Sequence, residues 1–293
     1  MAAASTPPLR VGFITCVELG LSCLGEIVAA GGPLDCVITL HDHLAVRKSG
    51  RVWLDDFCEA HGIPLFKIRH VNDAETVELL GARQLDWLFI IGWSQIASIE
   101  VLTSPRLGVL GMHPTLLPEG RGRAAVPWAI LKGLRETGVT MFKLDTGVDT
   151  GPIVAQQRIP LGPRETATEL YEKVSDAHRA LMRHTWPLLV QGRVEIQPQD
   201  DSRATYWPGR TPEDGRLVDS FTVEEADALV RAVTRPYPGA FLDLPEGRLR
   251  IWAGAPADEA PRQPGGRTLD FSDGAYVALE WELEPATETI RGK

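Results

Sequence analysis

The chain has 293 residues, 44% hydrophobic and 24% charged, with a mean hydropathy of −0.07; this excludes a disordered tail and a bilayer span and suffices for about two domains. Lys and Arg number 30 against 39 Asp and Glu, a formal charge of −9, which opposes attraction to phosphate backbones and disfavours nucleic acid as the main ligand. The four cysteines, Cys16, Cys23, Cys36 and Cys58, follow no zinc spacing and suit a reduced compartment, and residues 1–8 carry no export signal, so a cytoplasmic location is expected.

Residues 9–16, 34–40, 64–68, 85–91 and 106–112 are short apolar runs without strict alternation, the pattern of strands buried on both faces. Between them, residues 19–30, 53–61 (stopped by Gly62) and 72–84 read as helices, with Asn72 as an N-cap. Strict alternation of strand and helix implies a mainly parallel, Rossmann-like α/β sheet with helices on both faces. Ligands of such sheets bind beyond the carboxyl ends of the strands, which directs attention to the loops after Cys16, Leu40, Ile91 and Met112.

Further on, 124–133 reads as a helix, 138–144 and 153–159 as strands, and 165–190 as a long amphipathic helix with Thr166 or Thr168 at its start. A polar segment, 197–205, separates this region from a helix at 222–233 and short strands near 240–244, 249–253 and 276–282, a small β-rich module of OB-like character. The expected domains are residues 1–200, carrying the chemistry, and 201–293.

Two clusters hold chemistry. In the run GMHPTLLPEGRGR of 111–123, His113 stands at the end of a buried strand and Pro114 turns the chain out of the ladder. In LDTGVDTGP of 144–152, two acids flank glycines expected to take positive φ and aim a carboxylate into a crevice. An acid beside His113 would orient its ring and favour the imidazolium. His41 and His43 flank Asp42, but no third ligand is visible by spacing, so no metal is expected.

Taken together, HPTLLPEGRGRA and LDTGVDTGPIVAQ resemble the formyltransferases that use N10-formyltetrahydrofolate, and ATYWP of 204–208 with PYPGAF of 236–241 resembles the small C-terminal domain of some branches. The resemblance covers nearly the whole chain and implies transfer of a formyl group from the folate to an amine. It makes His113 the catalytic imidazole and Asp149 its orienting partner. It places the folate against Gly92, Trp93, Ser94, Gln95, Ile96 and Ala97 and against Asp145, Thr146, Gly147 and Val148.

One position departs from the family pattern. Where the family has an asparagine two residues before the histidine, to polarise the formyl oxygen, this chain has Gly111. Losing one such donor typically costs about 3 kcal/mol in the transition state. Ser94, Gln95 and Thr115 are candidate substitutes.

For the acceptor, residues 201–293 carry 11 basic and 17 acidic side chains, the wrong sign for docking tRNA. The run from GMHPTLLP through GRGRA and VPWAI most resembles the branch that modifies nucleotide-linked amino sugars, which implies Thr115, Arg121 and Arg123 as substrate-binding residues and Arg47, Lys48 and Arg51 as further phosphate contacts. A homodimer is compatible with this reading. The alternatives are formylation of another small amine or of methionyl-tRNA, hydrolysis of formyltetrahydrofolate with Gly111 making room for water, and a non-catalytic binding homologue.

Overall fold

The computed structural model describes residues 9–45, 50–261 and 264–285. In chain order the first elements are β1 (Val11–Ile14), α1 (Glu18–Ala29), β2 (Cys36–Leu40), α2 (Asp42–Ala45), α3 (Asp55–Ala60), β3 (Leu65–Ile68), α4 (Ala74–Arg83), β4 (Trp87–Ile90), α5 (Ile99–Thr103) and β5 (Gly108–His113). Then come β6 (Arg121–Gly122), α6 (Ala125–Leu131), β7 (Glu136–Lys143), β8 (Ile153–Pro160) and α7 (Ala167–Val190). Last are β9 (Tyr206–Trp207), α8 (Val223–Val233), β10 (Ala240–Leu244), β11 (Gly247–Pro256), β12 (Arg267–Phe271) and β13 (Gly274–Pro285).

Two compact units divide the described residues. Of these, the first draws on the described residues up to Gly122, on Glu136–Pro160 and on Lys173–Tyr206, the second on Arg123–Arg135, Leu161–Glu172 and the described residues from Trp207 onward. The second unit therefore includes two segments from the first 200 residues, and α7 contributes to both units.

The sheet of the first unit has the order β3-β2-β1-β4-β5-β7-β8. Its first five strands are parallel, and β7 and β8 add antiparallel at the β5 edge. Strands β1, β2, β4 and β5 are buried along their whole length, which explains why they are continuous apolar runs. On one face Ile14, Ile38, Leu88, Ile90 and Val109 pack with Leu80 of α4 and Val101 of α5. Elsewhere in the unit Phe13 stacks on Phe89 at 5.6 Å between centroids, and Phe89 meets Trp186 of α7 at 6.4 Å. Each such side chain removed from water contributes roughly 1.5–3 kcal/mol. The strand order reverses between β1 and β4, so the loops after these strands flank the switch point where open α/β sheets bind ligands. They come close there: a Cβ on Gly92, whose φ is +66°, would lie 2.2 Å from Val17 Cγ2.

Helix starts follow local chemistry, with one correction. Asp73, not Asn72, precedes α4, without a side-chain cap. Asn72 is instead used across space, its amide donating to Ile96 O (2.9 Å) and accepting from Ser98 N–H (2.8 Å). Ahead of α7, Thr166 and Glu169 bond reciprocally: Glu169 Oε2 accepts from Thr166 N–H and Glu169 N–H donates to Thr166 Oγ1, a capping box. Thr168 donates to Arg235 O.

In the second unit β10, β11, β13 and β12 form a four-stranded antiparallel sheet in that order, and α8 packs on β11 and on α6. This is the small C-terminal β domain. Strand β12 was not expected from the sequence: only Phe271 of its five residues is buried, so its apolar signal is thin.

Candidate active site

His113 is the last residue of β5 and is buried, 8% exposed. The loop after it is pinned by neighbouring strands: Thr140 of β7 donates its hydroxyl to Thr115 O (2.7 Å) and accepts Leu117 N–H (3.1 Å), while Gln156 of β8 donates to Leu117 O (2.8 Å). Carbonyl Gly120 O accepts from His113 Nε2 at 2.8 Å. A carbonyl can only accept, so Nε2 carries the hydrogen and Nδ1 is the nitrogen left facing Asp149, whose Oδ2 lies 3.5 Å away. The same Oδ2 accepts Gly122 N–H at 2.8 Å.

The 145–151 loop corrects the sequence reading in one respect. Gly147 and Gly151 do not supply positive φ; the left-handed residue is Asp149, at φ +54°, which costs a non-glycine residue roughly 1–2 kcal/mol. The glycines are there for space. A Cβ on Gly147 would lie 1.9 Å from Thr150 Oγ1, and one on Gly151 1.8 Å from Lys143 O. Asp145 Oδ1 accepts from Gly147 N–H and from the Thr150 hydroxyl, which closes the turn that presents Asp149.

Gly111 has His113 two residues on along the same strand. A Cβ there would lie 2.7 Å from Leu144 Cδ2 and 3.4 Å from Ile90 O. Leu144 thus takes up space that a side chain at position 111 would need.

Of the candidate substitute donors, Gln95 is committed to the neighbouring loop: its Oε1 accepts Val71 N–H (2.8 Å) and its Nε2 donates to Arg69 O (3.2 Å). Ser94 is exposed. Thr115 is 1% exposed and its hydroxyl has no hydrogen-bond partner; buried polar atoms without partners are uncommon and mark sites of function or strain. Trp93 packs against the core between β1 and β4, with its indole N–H also unpartnered. Gly92 makes the close turn described above and Ala97 packs on the core. Ile96 and Val148 are exposed apolar side chains, at 68% and 49%, and Asp145, Thr146 and Gly147 are exposed as well.

Arg121 is placed differently from a residue held ready for substrate. Its side chain is 2% exposed and its three nitrogens donate to Gln199 Oε1, Tyr206 Oη and Asp201 Oδ1. Arg123 is exposed and lies in the second unit. Arg51 is drawn inward, donating to Val52 O and Asp42 with its guanidinium 4.1 Å from the Trp53 ring centre; Arg47 and Lys48 fall outside the described residues. His41 and His43 stack at 5.8 Å. Among the described residues no three His, Cys, Asp or Glu side chains converge on a metal site, and no helix is long and apolar enough to cross a membrane.

What sequence reasoning missed is Gln199, whose Nε2 donates to Asp149 O (2.8 Å) and Gly151 O (2.6 Å). Gln199 lies 50 residues beyond Asp149, inside a segment that looks like a spacer, so no local signal could have found it.

The chain belongs to the formyl transferase family: the formyl transferase model matches residues 36–186 and that of the formyl transferase C-terminal domain residues 210–280. Among solved structures, it is similar to the N-formyltransferase from Helicobacter canadensis in complex with folinic acid and dTDP-3-aminofucose (17% identity, 92% of this chain and 98% of that one, TM-score 0.71). It is also similar to HypX from Aquifex aeolicus in complex with tetrahydrofolic acid (18%, 94% and 44%, TM-score 0.69); the chain thus spans less than half of HypX. A third is the methionyl-tRNA formyltransferase from Clostridium thermocellum (19%, 94% and 99%, TM-score 0.63).

Proposed function

We propose that this formyltransferase moves a formyl group from N10-formyltetrahydrofolate to the primary amine of a nucleotide-linked amino sugar. The observation that carries the chemistry is the His113–Asp149 pair, with Nδ1 and Oδ2 3.5 Å apart in a chain of this family. The amine nitrogen attacks the formyl carbon to give a tetrahedral oxyanion, the carbon–N10 bond then breaks, and the proton lost by the amine ends on N10. With Nε2 of His113 held by Gly120 O, the proton is taken up at Nδ1 and passed on from there, and Asp149, beside Nδ1, balances the imidazolium that forms.

With Gly111 lacking a side chain and Leu144 packed against it, the oxyanion must find another donor. Of the three side chains considered, Thr115 supports this role best, because its buried hydroxyl is uncommitted whereas both ends of the Gln95 amide are taken. The exposed apolar Ile96 and Val148 offer surface to the flat pterin.

Two observations support an amino sugar as acceptor: the Helicobacter canadensis relative is described with dTDP-3-aminofucose, and residues 201–293 carry 17 acidic against 11 basic side chains, unfavourable for a tRNA acceptor. Incubation with N10-formyltetrahydrofolate and a panel of nucleotide-linked amino sugars, followed by product mass, tests the reading. A product heavier by one formyl group in place of a hydrogen is expected for at least one sugar. Formylation of methionyl-tRNA alone would overturn the acceptor, and no transfer to any amine with folate bound would overturn the reaction.

A further inference from the structure

We propose that Gln199 is a positioning residue for the His113–Asp149 pair, acting through the backbone of the 145–151 loop and itself held by Arg121. Its kinetic consequence rests on the formyl-transfer reading above; its structural consequence does not.

Asp149, which faces His113, has its backbone in the left-handed conformation, which an aspartate holds when neighbours over-determine it. Its own carboxylate provides one tether, to Gly122 N–H. Gln199 provides the others, its two N–H groups bracketing the left-handed residue by donating to Asp149 O and Gly151 O. On the opposite side of the amide, Oε1 accepts from Arg121 Nε at 3.1 Å and from Nη2 at 2.8 Å. All four hydrogen-bonding positions of the amide are therefore filled, and a flipped amide would set its NH2 against the guanidinium and its oxygen against two carbonyls.

The arrangement closes into a ring. His113 Nε2 is held by Gly120 O, Asp149 Oδ2 by Gly122 N–H, and Arg121 between them reaches Gln199, which returns to Asp149. Thr205 joins the same strand by accepting Gly120 N–H at 2.8 Å on its hydroxyl, and Arg121 N–H donates to Thr205 O. The polar segment after α7 is thus part of the catalytic centre, although the N-terminal family match ends at residue 186.

The test uses the full chain with Gln199→Glu and Gln199→Ala. Glutamate has the same shape and keeps the acceptor for Arg121, but sets a carboxylate oxygen against the Asp149 and Gly151 carbonyls. Two readouts are taken on each variant: the ring-nitrogen NMR signals of His113, and kcat and KM for formyl transfer. The expected result is that the His113 signals move toward those of an Asp149→Ala reference in both variants, and that kcat falls about tenfold or more while the folate KM changes less than about twofold. Wild-type His113 signals in a folded Gln199→Ala chain would overturn the proposal, as would a KM effect with kcat unchanged. If Gln199→Glu fails to fold, Gln199→Ala decides. If the wild type proves inactive, the formyl-transfer reading fails while the NMR result still decides the role of Gln199.

Discussion

Leu144 stands where any side chain at position 111 would have to go, its Cδ2 lying 2.7 Å from a Cβ built on Gly111. The two positions form one packed unit, so the glycine cannot be read apart from the leucine. Gly111→Asn alone is expected to destabilise the fold by about 1–3 kcal/mol through overpacking. In Gly111→Asn/Leu144→Ala the cost should be less than the sum of the single effects, with a coupling of about 1 kcal/mol or more by denaturant unfolding. Strict additivity would show that Leu144 does not fill that space.

Asp149 offers a way to separate backbone from carboxylate. Glycine is at ease at φ +54°, so Asp149→Gly should keep the loop conformation while removing the acceptor of Gly122 N–H and the partner of His113. The thermal midpoint is expected to shift by only a few degrees, because relief of about 1 kcal/mol offsets the lost hydrogen bond, and the transfer rate to fall about 100-fold or more. A fully active Asp149→Gly enzyme would remove Asp149 from the mechanism.

His178 should make the fold acid-sensitive. Its ring is buried in α7, with Nδ1 2.8 Å from Val174 O. Burial, reinforced by the nearby His113, lowers its pKa from 6.5 to about 4 against the raising effect of the Val174 carbonyl. The unfolded chain takes up a proton near pH 6.5 that the folded chain refuses until about pH 4, so the contribution of His178 is complete above the first value and is lost as pH falls toward the second. That loss is roughly 3 kcal/mol in all. Thermal midpoints followed from pH 7 to pH 4 should fall less in His178→Gln than in the wild type, relative to each protein's value at pH 7; parallel curves would contradict this.

The cysteines should be inert in the native state. All four are buried and unbridged, and burial pushes the thiols of Cys36 and Cys58 up to about 11 and that of Cys23 higher still. Since the thiolate is the reactive form, alkylation near pH 7.5 should label these three only after denaturation. Rapid labelling of any of them in the folded protein would show that the packing around it opens readily.

The contrast between Asp149 and Gln199 marks what was legible in the sequence. The parallel strands were readable because burial on both faces forces continuous apolar runs; the two clusters that hold His113 and Asp149 stood out by their glycines and prolines, while the choice of Asp149 over Asp145 came from the family resemblance alone. The glycines misled about the left-handed residue, since Gly147 and Gly151 make room for Thr150 and for a carbonyl while Asp149 itself takes the strain. Gln199 was invisible because its partners, Arg121, Asp149 and Gly151, are remote in the chain, and only folding brings them to it. The weak alternation in Arg267–Phe271 hid β12 in the same way, its place being fixed by pairing with β13 rather than by its own pattern.

The most direct measurement is the release of tetrahydrofolate from N10-formyltetrahydrofolate, followed with and without a nucleotide-linked amino sugar in the wild type and in His113→Ala. Release is expected only when the amine is present, one tetrahydrofolate per formamido sugar formed, with a rate about 100- to 10,000-fold lower in the variant. Amine-independent release of formate, or a His113→Ala enzyme as fast as the wild type, would contradict it.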